Sequence, residues 1–418
     1  MYIKELTSEE FEQFSNQFEP SSIYQSEEYA KVMERQHFNS MLLGFIDDYS
    51  NIVAATLVLI EKKHGFSYAY APRGFLINYS NYELVKSFTA HLKKYLGKKG
   101  IIAIKLCPMI IKNTTDKDGN VVQTNGNYNL IFNNLKQLGY YHYGYNNFFE
   151  ALRPRFEAVL DLTLPHYLLF KNFKKETRTK IRSSAKSGVH IYKGTKNELK
   201  YLYLQTKKKY PRDLKYFEDC FEIMSEDNKI DFYYTKLNTE EFLINTKKEY
   251  ERIEYENSKL NHDFINNSNN KNNSKLLNQK LASDRLLTIY QEKLVKATNL
   301  LRDYPGGIIT SSVLIAKHNK CVYLLIDGYD KKVKYINSKH LLIWSLIEKY
   351  SKEGYQKFYF GGISNPAIKN TNYDGLNTFK LNFNALSVEY MGDLELVTNS
   401  ALYFMYRNAA PIASILKK

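Results

Sequence analysis

The sequence FYFGGISNPAIKNTNYDGLNTFKLNFNALSVEYMGDLELV, residues 358–397, decides how this chain is interpreted. Its apolar beginning ends at Gly361-Gly362, where the lack of side chains lets the backbone turn sharply and lets a substrate approach closely. An Asn-rich loop, Lys380 and the carboxylate of Asp393 follow. Strand, glycine turn, loop, lysine, strand and carboxylate in this order predict an active-site edge with Lys380 as a positioned charge. From composition alone a surface lysine on a strand is an equally good interpretation, because most lysines are exposed.

The length and the charge of the chain limit its class. At 418 residues it exceeds what one hydrophobic core usually supports, so we expect two domains and an appendage. A hydrophobic content of 44% and 36 tyrosines are typical of a globular chain of helices and strands. The formal net charge of +15 predicts an anionic partner, and charge alone leaves nucleic acid, a phospholipid surface and a phosphorylated substrate open.

The cysteines and the sequence motifs exclude several classes of protein. Cys107, Cys220 and Cys321 lie far apart without CxxC spacing, so we predict neither disulfides nor zinc and expect a reducing cytoplasm. No uncharged apolar run of about 18 residues occurs, and residues 1–11 lack an apolar signal core, so a soluble protein is expected. HEXXH, GXSXG, Walker and coenzyme A pyrophosphate-loop patterns do not occur, and the sequence predicts no metal and no cofactor.

The order of elements predicts an α+β fold with two GNAT-like (acetyltransferase-like) domains in tandem. A capping box at Thr7–Glu10 opens a helix. Three β-rich runs between residues 41 and 70, a helix over 82–96 and a buried strand over 101–106 then give the order of a GNAT-like half-domain. The predicted boundaries are residues 1–150 for the first domain, 151–235 and 303–395 for the two parts of the second, 236–302 for an inserted arm and 396–418 for a C-terminal helix that packs back on the core.

The inserted arm, residues 236–302, contains two helical heptad patterns separated by a polar turn over residues 266–274. The outgoing pattern places apolar residues at Leu243, Tyr250, Ile253, Leu260 and Phe264, and the returning pattern at Leu287, Tyr290, Leu294, Ala297 and Leu301. Two such runs predict an antiparallel coiled-coil hairpin. An interaction lever, a scaffold and a dimer contact all stay open as its role.

A basic helix is predicted over residues 167–187, ending at Gly188, the residue type that helix C-termini favour. It carries one acid, Glu176, and its candidate phosphate ligands are Lys174, Lys175, Arg178 and Arg182. A solvated helix face is the ordinary outcome of such a charge run. A phosphate-binding face is the alternative, and its affinity would fall steeply with salt because lysine and arginine grip phosphates without reading sequence.

The pattern GGIS…GL..FK..FN….EY.GDLELV, followed by Tyr403 and Tyr406, resembles the C-terminal signature of the FemABX family. YAPRG at 70–74, ALRPRFEAVLDLT at 151–163 and R.KIR.SAKSGV at 178–189 resemble further family segments. Family members are tRNA-dependent aminoacyltransferases that build peptidoglycan interpeptide bridges. The resemblance therefore implies transfer of Gly, Ala or Ser from aminoacyl-tRNA to the side-chain amine of the stem peptide on a lipid-linked precursor. It implies as partners aminoacyl-tRNA, a lipid-linked or UDP-linked muropeptide and the cytoplasmic face of the membrane as a peripheral contact.

The resemblance also implies roles for single residues. Lys380 would stabilise negative charge near the reacting ester, and Asp393 would handle the amine proton, although a structural aspartate in a turn is the simpler explanation from spacing alone. Arg212 and Tyr216, four residues apart and so on one helix face, would hold the acceptor, with Arg212 on its diphosphate. An arginine packed over a tyrosine is the open alternative. The other implied substrate-binding residues are Tyr323, Lys31 and Phe379.

The chain departs from the family pattern at three of its contact positions. Met33, Cys107 and Leu325 stand where the family usually has a lysine, an acidic residue and a second tyrosine. Two other functions therefore stay open. The chain could be a non-catalytic tRNA- or RNA-binding protein whose GNAT-like domains are scaffold, or a GNAT-type N-acyltransferase with another acyl donor. The resemblance of the arm to that of seryl-tRNA synthetases, which implies contact with tRNA, is an analogy.

Overall fold

The computed structural model describes residues 1–151, 153–208, 210, 212–266 and 273–415, and it confirms the predicted α+β class with a helical arm. The strands are β1 (Tyr2–Glu5), β2 (Asn39–Ile46), β3 (Ile52–Lys63), β4 (Phe66–Ala71), β5 (Ile101–Leu106), β6 (Ile111–Thr115), β7 (Val121–Thr124), β8 (Tyr140–His142), β9 (Phe156–Asp161), β10 (Val189–Lys193), β11 (Ile230–Leu237), β12 (Ile308–His318), β13 (Cys321–Tyr329), β14 (Lys357–Ile363), β15 (Leu386–Tyr390) and β16 (Leu394–Val397). The helices are α1 (Ser8–Gln17), α2 (Glu27–Arg35), α3 (Tyr82–Lys98), α4 (Tyr128–Gln137), α5 (His166–Asn172), α6 (Lys175–Ala185), α7 (Leu199–Thr206), α8 (Leu214–Ser225), α9 (Thr239–Asn266), α10 (Asn273–Asp303), α11 (Ser338–Lys352), α12 (Asp374–Leu381) and α13 (Ser400–Ile415).

The first sheet has the strand order β1-β2-β3-β4-β5-β16-β8. Thr7 and Glu10 form the predicted capping box at the start of α1. Strands β2 to β4 form the predicted antiparallel meander, and β5 then returns parallel to β4 after the crossover helix α3. Phe88 and Leu92 of α3 are buried against the sheet, where Phe45 meets the Phe88 ring edge-on.

The second sheet has the order β10-β11-β12-β13-β14-β9-β15-β6-β7. Most neighbours are antiparallel, but β13 and β14 run parallel and pair only from Cys321 to Tyr323 against Lys357 to Tyr359. Beyond these residues the two strands diverge and leave a wedge between them. Helices α5, α6 and α11 cover one face of the sheet, with Leu342, Ile343 and Ile347 of α11 fully buried there.

Each half of the chain contributes a strand or hairpin to the sheet of the other half, so the sheets do not follow the boundaries predicted at residues 150 and 395. The hairpin β6–β7 precedes residue 150 but lies in the second sheet, because β6 pairs with β15. Conversely, β16 follows β15 almost directly but enters the first sheet between β5 and β8. The predicted boundaries therefore divide the chain without dividing the sheets.

The arm consists of α9 and α10, and it begins after residue 237 because β11 extends to Leu237. The buried positions of α9 are Thr239, Phe242, Thr246, Ile253 and Asn257. Of the predicted apolar positions only Ile253 is among them, and three of the five buried residues are polar. Asn257 donates to Ser283 Oγ at 3.1 Å and to Asp284 Oδ1 at 2.8 Å, which fixes the register of the two helices. Most of the polar turn predicted over 266–274 lies outside the described residues.

The basic helix predicted over 167–187 is two helices, α5 and α6, which are separated at Phe173-Lys174. Phe173 is extended and buried, and its ring packs edge-on against Trp344 and Phe383. Anchoring of this ring in the core thus interrupts the helix. Gly188 has a φ of +74° after α6.

The C-terminal helix α13 lies against the first sheet. The Tyr406 ring packs near Phe66 and Tyr68 of β4, and the Tyr403 hydroxyl donates to the buried Glu395 carboxylate of β16 at 2.5 Å. Among the described helices, none combines the length and apolar character that crossing a bilayer requires.

Candidate active site

Lys380 lies on helix α12 and reaches into the wedge between β13 and β14. The sequence placed it on or beside a strand, but Asp374–Leu381 forms a short helix that directs the side chain inward. Its Nζ donates to the Gly362 carbonyl at 2.8 Å. Gly361 has a φ of +75°, and a side chain there would come within 3.8 Å of Nζ. Gly361 therefore provides the left-handed turn, and the absence of a side chain at Gly362 leaves room for Pro154 and Phe149.

The surroundings of Lys380 alter its acid–base behaviour. The residue is 6% exposed. Burial lowers the pKa of its ammonium from an ordinary 10.5 to about 8, an effect that Lys339 reinforces and Asp327 opposes. A lysine with this pKa is mostly cationic at neutral pH. It can therefore place positive charge beside an oxyanion in a site that excludes water.

Lys339 and Phe379 form the wall next to this cation. Lys339 forms an ion pair with Asp327 of β13, and its Nζ lies 3.7 Å from the centroid of the Phe379 ring. Phe379 also packs edge-on against His340 at 5.0 Å. The ring is therefore fixed in place and separates Lys339 from the core.

A second feature is an aromatic cleft between the two sheets, lined by residues of both halves of the chain. The Arg153 guanidinium lies 3.5 Å from the centroid of the Tyr24 ring and donates to the Tyr29 hydroxyl at 2.5 Å. Burial raises the pKa of Tyr24 to about 12, so its phenol stays protonated. Further lining residues are Ile23, Tyr210, Tyr216, Phe217, Cys220, Met224, Leu314, Leu325 and Ile326.

The cleft is narrow and adjoins the wedge. It encloses about 30 Å³. Because ligand sites usually offer about 300–1,000 Å³, side chains at its mouth must move for a substrate to enter. Leu325 and Ile326 line it, and the next residue of β13 is Asp327, the partner of Lys339. Strand β13 therefore connects the cleft to the surroundings of Lys380.

Two predicted acceptor ligands, Arg212 and Tyr216, do meet at the mouth of this cleft. The Arg212 guanidinium lies 4.6 Å from the centroid of the Tyr216 ring. They do not share a helix as predicted, because Asp213 caps α8 and leaves Arg212 in the preceding loop. Arg212 is exposed, so its fork is available to an anion.

The predicted ligands Tyr323 and Lys31 make no described contact with Lys380. Tyr323 stacks on Tyr359 with centroids 4.7 Å apart and donates to the Ser21 carbonyl at 3.3 Å, so it is buried in the wall between the sheets. Lys31 is exposed on α2 and pairs with Glu27 at 2.7 Å. The neighbouring Met33 is buried in the core and cannot replace it as a ligand.

Asp393 has a partner of its own. Its Oδ2 lies 2.9 Å from Lys105 Nζ, between β15 and β16, and Oδ1 is buried without a hydrogen-bond partner among the described residues. The described contacts do not bring Asp393 to Lys380. This arrangement is the one expected if Asp393 is a structural residue, the alternative interpretation of the sequence.

The four predicted phosphate ligands all lie on α6 or at its N-cap, but they do not form one exposed face. Lys174 and Lys175 are exposed at the start of α6. Arg178 turns inward and donates to the carbonyls of Lys171 and Phe173, which closes the C-terminus of α5. Arg182 is exposed, and its guanidinium lies 5.2 Å from the Phe170 ring. Arg178 is thus a structural residue, whereas the other three present charge to solvent.

Sequence reasoning missed the buried arginines of the junction. Arg73 pairs with Glu157 at 2.9 Å, donates to the Pro154 carbonyl and lies 4.3 Å from the Tyr390 ring centroid. The signals were the segment PRG at 72–74, which contains Arg73, and the segment RPR at 153–155, whose alternating arginines precede a strand. Nothing local in the sequence identifies their partners, which lie far along the chain.

Among the described residues, one cluster of three carboxylates is compact enough to hold a cation, and it consists of Glu12, Glu27 and Glu28. Lys229 already bonds to Glu12 and Glu28, and Lys31 bonds to Glu27. These ammonium groups supply the positive charge that the carboxylates need.

Known proteins are similar to this chain along nearly its whole length. A family model described as the FemAB family matches residues 6–410. The aminoacyltransferase FemA of Staphylococcus epidermidis is 24% identical over 423 residues, covering 97% of this chain and 98% of FemA. The lipid II:glycine glycyltransferase of Staphylococcus saprophyticus subsp. saprophyticus is 23% identical over 376 residues, covering 88% and 86%. The crystal structure of FemX has a TM-score of 0.73 at 20% identity and covers 97% of this chain and 99% of its own, which establishes a shared fold.

Proposed function

The chain belongs to the FemAB family and is a transferase, and we propose that it moves an amino acid from aminoacyl-tRNA to the side-chain amine of a peptidoglycan stem peptide. The family match confirms the resemblance seen in the sequence. Glycine, alanine or serine is the proposed cargo, and a lipid-linked precursor is the proposed acceptor. Such an acceptor would bring the protein to the cytoplasmic face of the membrane.

The observation that carries this proposal is the buried cation at Lys380. An aminoacyl ester is already activated, so its transfer needs positioning and charge stabilisation more than a covalent nucleophile. When the acceptor amine attacks the ester carbonyl, negative charge develops on the carbonyl oxygen. Lys380, held at Gly362 in a site of low dielectric, is suited to stabilise that charge.

The reaction balances without a cofactor. A new C–N bond forms as the ester C–O bond breaks, and the proton lost by the amine ends on the ribose hydroxyl that leaves. Asp393 has no part in this step of the proposal because Lys105 engages its carboxylate.

The aromatic cleft supports the acceptor part of the proposal. Arg153 and Arg212 place two guanidinium groups at a cleft whose tyrosines offer hydroxyls and ring faces. A guanidinium fork binds two oxygens of a diphosphate at once. We therefore place the diphosphate of the acceptor at the mouth, near Arg212, with the stem peptide leading toward Lys380.

A transfer assay tests the function directly. Purified protein receives tRNA charged with labelled glycine, alanine or serine, and either the lipid-linked or the UDP-linked pentapeptide, and labelled product is measured. We expect transfer by the wild type and a loss of at least about a hundredfold in Lys380→Met, because one oxyanion-stabilising group contributes that much. Lys352→Met, which removes an exposed lysine of α11, is the matched control and should keep full activity.

Two outcomes would contradict the proposal. Full turnover by Lys380→Met would remove Lys380 from the mechanism. Binding of tRNA by a wild type that transfers none of the three amino acids would favour the non-catalytic RNA-binding alternative.

A further inference from the structure

A basic segment near Lys380 has no role in the features described so far, apart from Lys339 and His340 at its end. Residues 328–340, GYDKKVKYINSKH, contain four lysines and one acid, Asp330. Within them, Lys331–Ile336 forms a 3₁₀ turn capped by Asp330, whose side chain accepts from the Lys332 amide. The turn connects β13 to α11, the two elements that carry Asp327 and Lys339.

This turn is amphipathic and fixed in place. Val333 and Ile336 are buried among Val189, Phe242 and Ala297 at the root of the arm. Lys331, Lys332 and Lys334 are exposed on the opposite side. Burial of the apolar pair therefore holds three ammonium groups in solvent at a defined position.

The exposed lysines have little to neutralise them. No carboxylate pairs with Lys331, Lys332 or Lys334 among the described ion pairs, and the Lys332 ammonium donates instead to the Tyr304 hydroxyl at 3.0 Å. The Tyr335 ring is exposed in the same turn, with Lys296 of α10 5.6 Å from its centroid. Lysines interleaved with exposed aromatic rings are typical of surfaces that bind RNA backbone and unpaired bases.

The same segment of chain continues to the surroundings of Lys380. Lys339 lies three residues beyond the turn and contacts Phe379, the neighbour of Lys380. The arm helices, in contrast, carry nearly balanced numbers of basic and acidic residues over 239–303, so their shaft offers little net attraction to phosphate. The excess of basic residues therefore lies in the turn at the root of the arm and not along its helices.

We propose that Lys331, Lys332 and Lys334, beside Tyr304 and Tyr335, bind the phosphate backbone of the donor RNA near its acceptor end and direct that end toward Lys380. This inference rests on the proposed function, which makes an RNA-linked ester the donor. An anionic lipid surface is the competing partner, and the test separates the two.

The test measures binding without chemistry. An uncharged RNA hairpin that reproduces an acceptor stem with its CCA end is titrated against the full-length protein from about 50 to 200 mM salt. The variant combines Lys331→Ala, Lys332→Ala and Lys334→Ala. The control combines Lys93→Ala, Lys94→Ala and Lys98→Ala, which removes three exposed lysines of α3. A third protein with arginine at 331, 332 and 334 keeps the charge.

We expect the alanine variant to lose roughly tenfold or more in RNA affinity. The slope of log affinity against log salt should be shallower by about 2, because three phosphate contacts are lost. The control and the arginine variant should behave as the wild type. Unchanged RNA affinity in the alanine variant, or a loss of binding to phosphatidylglycerol vesicles without a loss of RNA binding, would overturn the proposal. A wild type that binds the hairpin but transfers no amino acid would contradict the proposed function alone.

Discussion

In the proposed reaction, Lys380 would stabilise the transition state with a charge that opposes folding. A buried cation lacks the hydration that it has in the unfolded chain, and the single described hydrogen bond to Gly362 replaces only part of it. The same low dielectric strengthens its action on a developing oxyanion. The lowered pKa reflects this cost, because the folded state holds the proton less tightly than the unfolded state does.

The first prediction concerns stability and pH in Lys380→Met. Below pH 8 the wild-type ammonium is charged in both states, and the shift from 10.5 to about 8 corresponds to a destabilisation on the order of 3 kcal/mol. Between these two pH values only the unfolded chain binds the proton, so wild-type stability rises with pH. We therefore expect the variant to unfold at a higher temperature at pH 7, with an advantage that shrinks as pH rises above 8. Denaturant unfolding at several pH values measures it, and a difference independent of pH would contradict it.

The second prediction concerns Arg212, which is exposed over the Tyr216 ring without a described carboxylate partner. A charge-assisted hydrogen bond contributes about 1.5–3 kcal/mol, so Arg212→Ala should weaken acceptor binding roughly ten- to hundredfold. The affinity for the donor RNA should not change, because Arg212 is proposed to contact only the acceptor. Separate titrations with muropeptide and RNA measure both effects, with Arg252→Ala of the arm as the control. Equal losses of affinity for the two substrates would refute the proposal that Arg212 binds the acceptor diphosphate.

At the scale of elements, the arm is fixed at its root. Phe242 and Ala297 are fully buried and belong to the same cluster as Leu237 of β11 and Val333. Removal of the whole arm would expose this cluster. Farther out, Asn257 joins the two helices through hydrogen bonds instead of apolar packing. Such a polar layer specifies register at a cost in stability.

The third prediction follows from this division of the arm. Replacing residues 255–286 with a short Gly/Ser turn keeps Ile253 and the root cluster, and we expect an unchanged melting temperature. Replacing residues 240–300 removes Phe242 and Ala297 from the core and should lower the melting temperature by several degrees, because burial of a large apolar side chain contributes about 1.5–3 kcal/mol. Thermal unfolding of both proteins measures the difference. Equal melting temperatures would mean that the root cluster contributes nothing to stability.

Local sequence patterns predicted the elements better than their partners. The capping box at Thr7 and the heptads of the arm depend on neighbours within a few residues, and both elements formed. The break before α6 was missed because it depends on Phe173 meeting Trp344, far along the chain. The sequence singled out Lys380 but not its helix or its burial, because both depend on the wedge between two distant strands.

At the scale of the whole molecule, the two halves are joined by polar and apolar contacts. Arg35 of α2 pairs with the buried Asp219 of α8 at 3.1 Å, and Arg73 pairs with Glu157 across the sheets. One apolar cluster contains Leu57 of the first sheet together with Phe217 of α8. Arg73 and Glu157 are both buried, and breaking such a pair by removal of one partner usually costs about 3–5 kcal/mol. Arg35 is partly exposed, so its pair contributes less to the coupling of the halves.

The last prediction is that the two halves unfold as one unit. Strand β16 fills the place between β5 and β8, so a fragment of residues 1–150 would have a gap in its sheet, and its hairpin β6–β7 would lack its partner β15. Calorimetry of the full chain should therefore show one transition with equal calorimetric and van't Hoff enthalpies, even though chains of this length often unfold domain by domain. The fragment 1–150, expressed alone, should lack a cooperative transition. Addition of residues 386–397 through a flexible linker should restore part of it, because both missing strands are then available. Two resolved transitions in the full chain, or a cooperatively folded fragment, would show that strand exchange does not couple the halves.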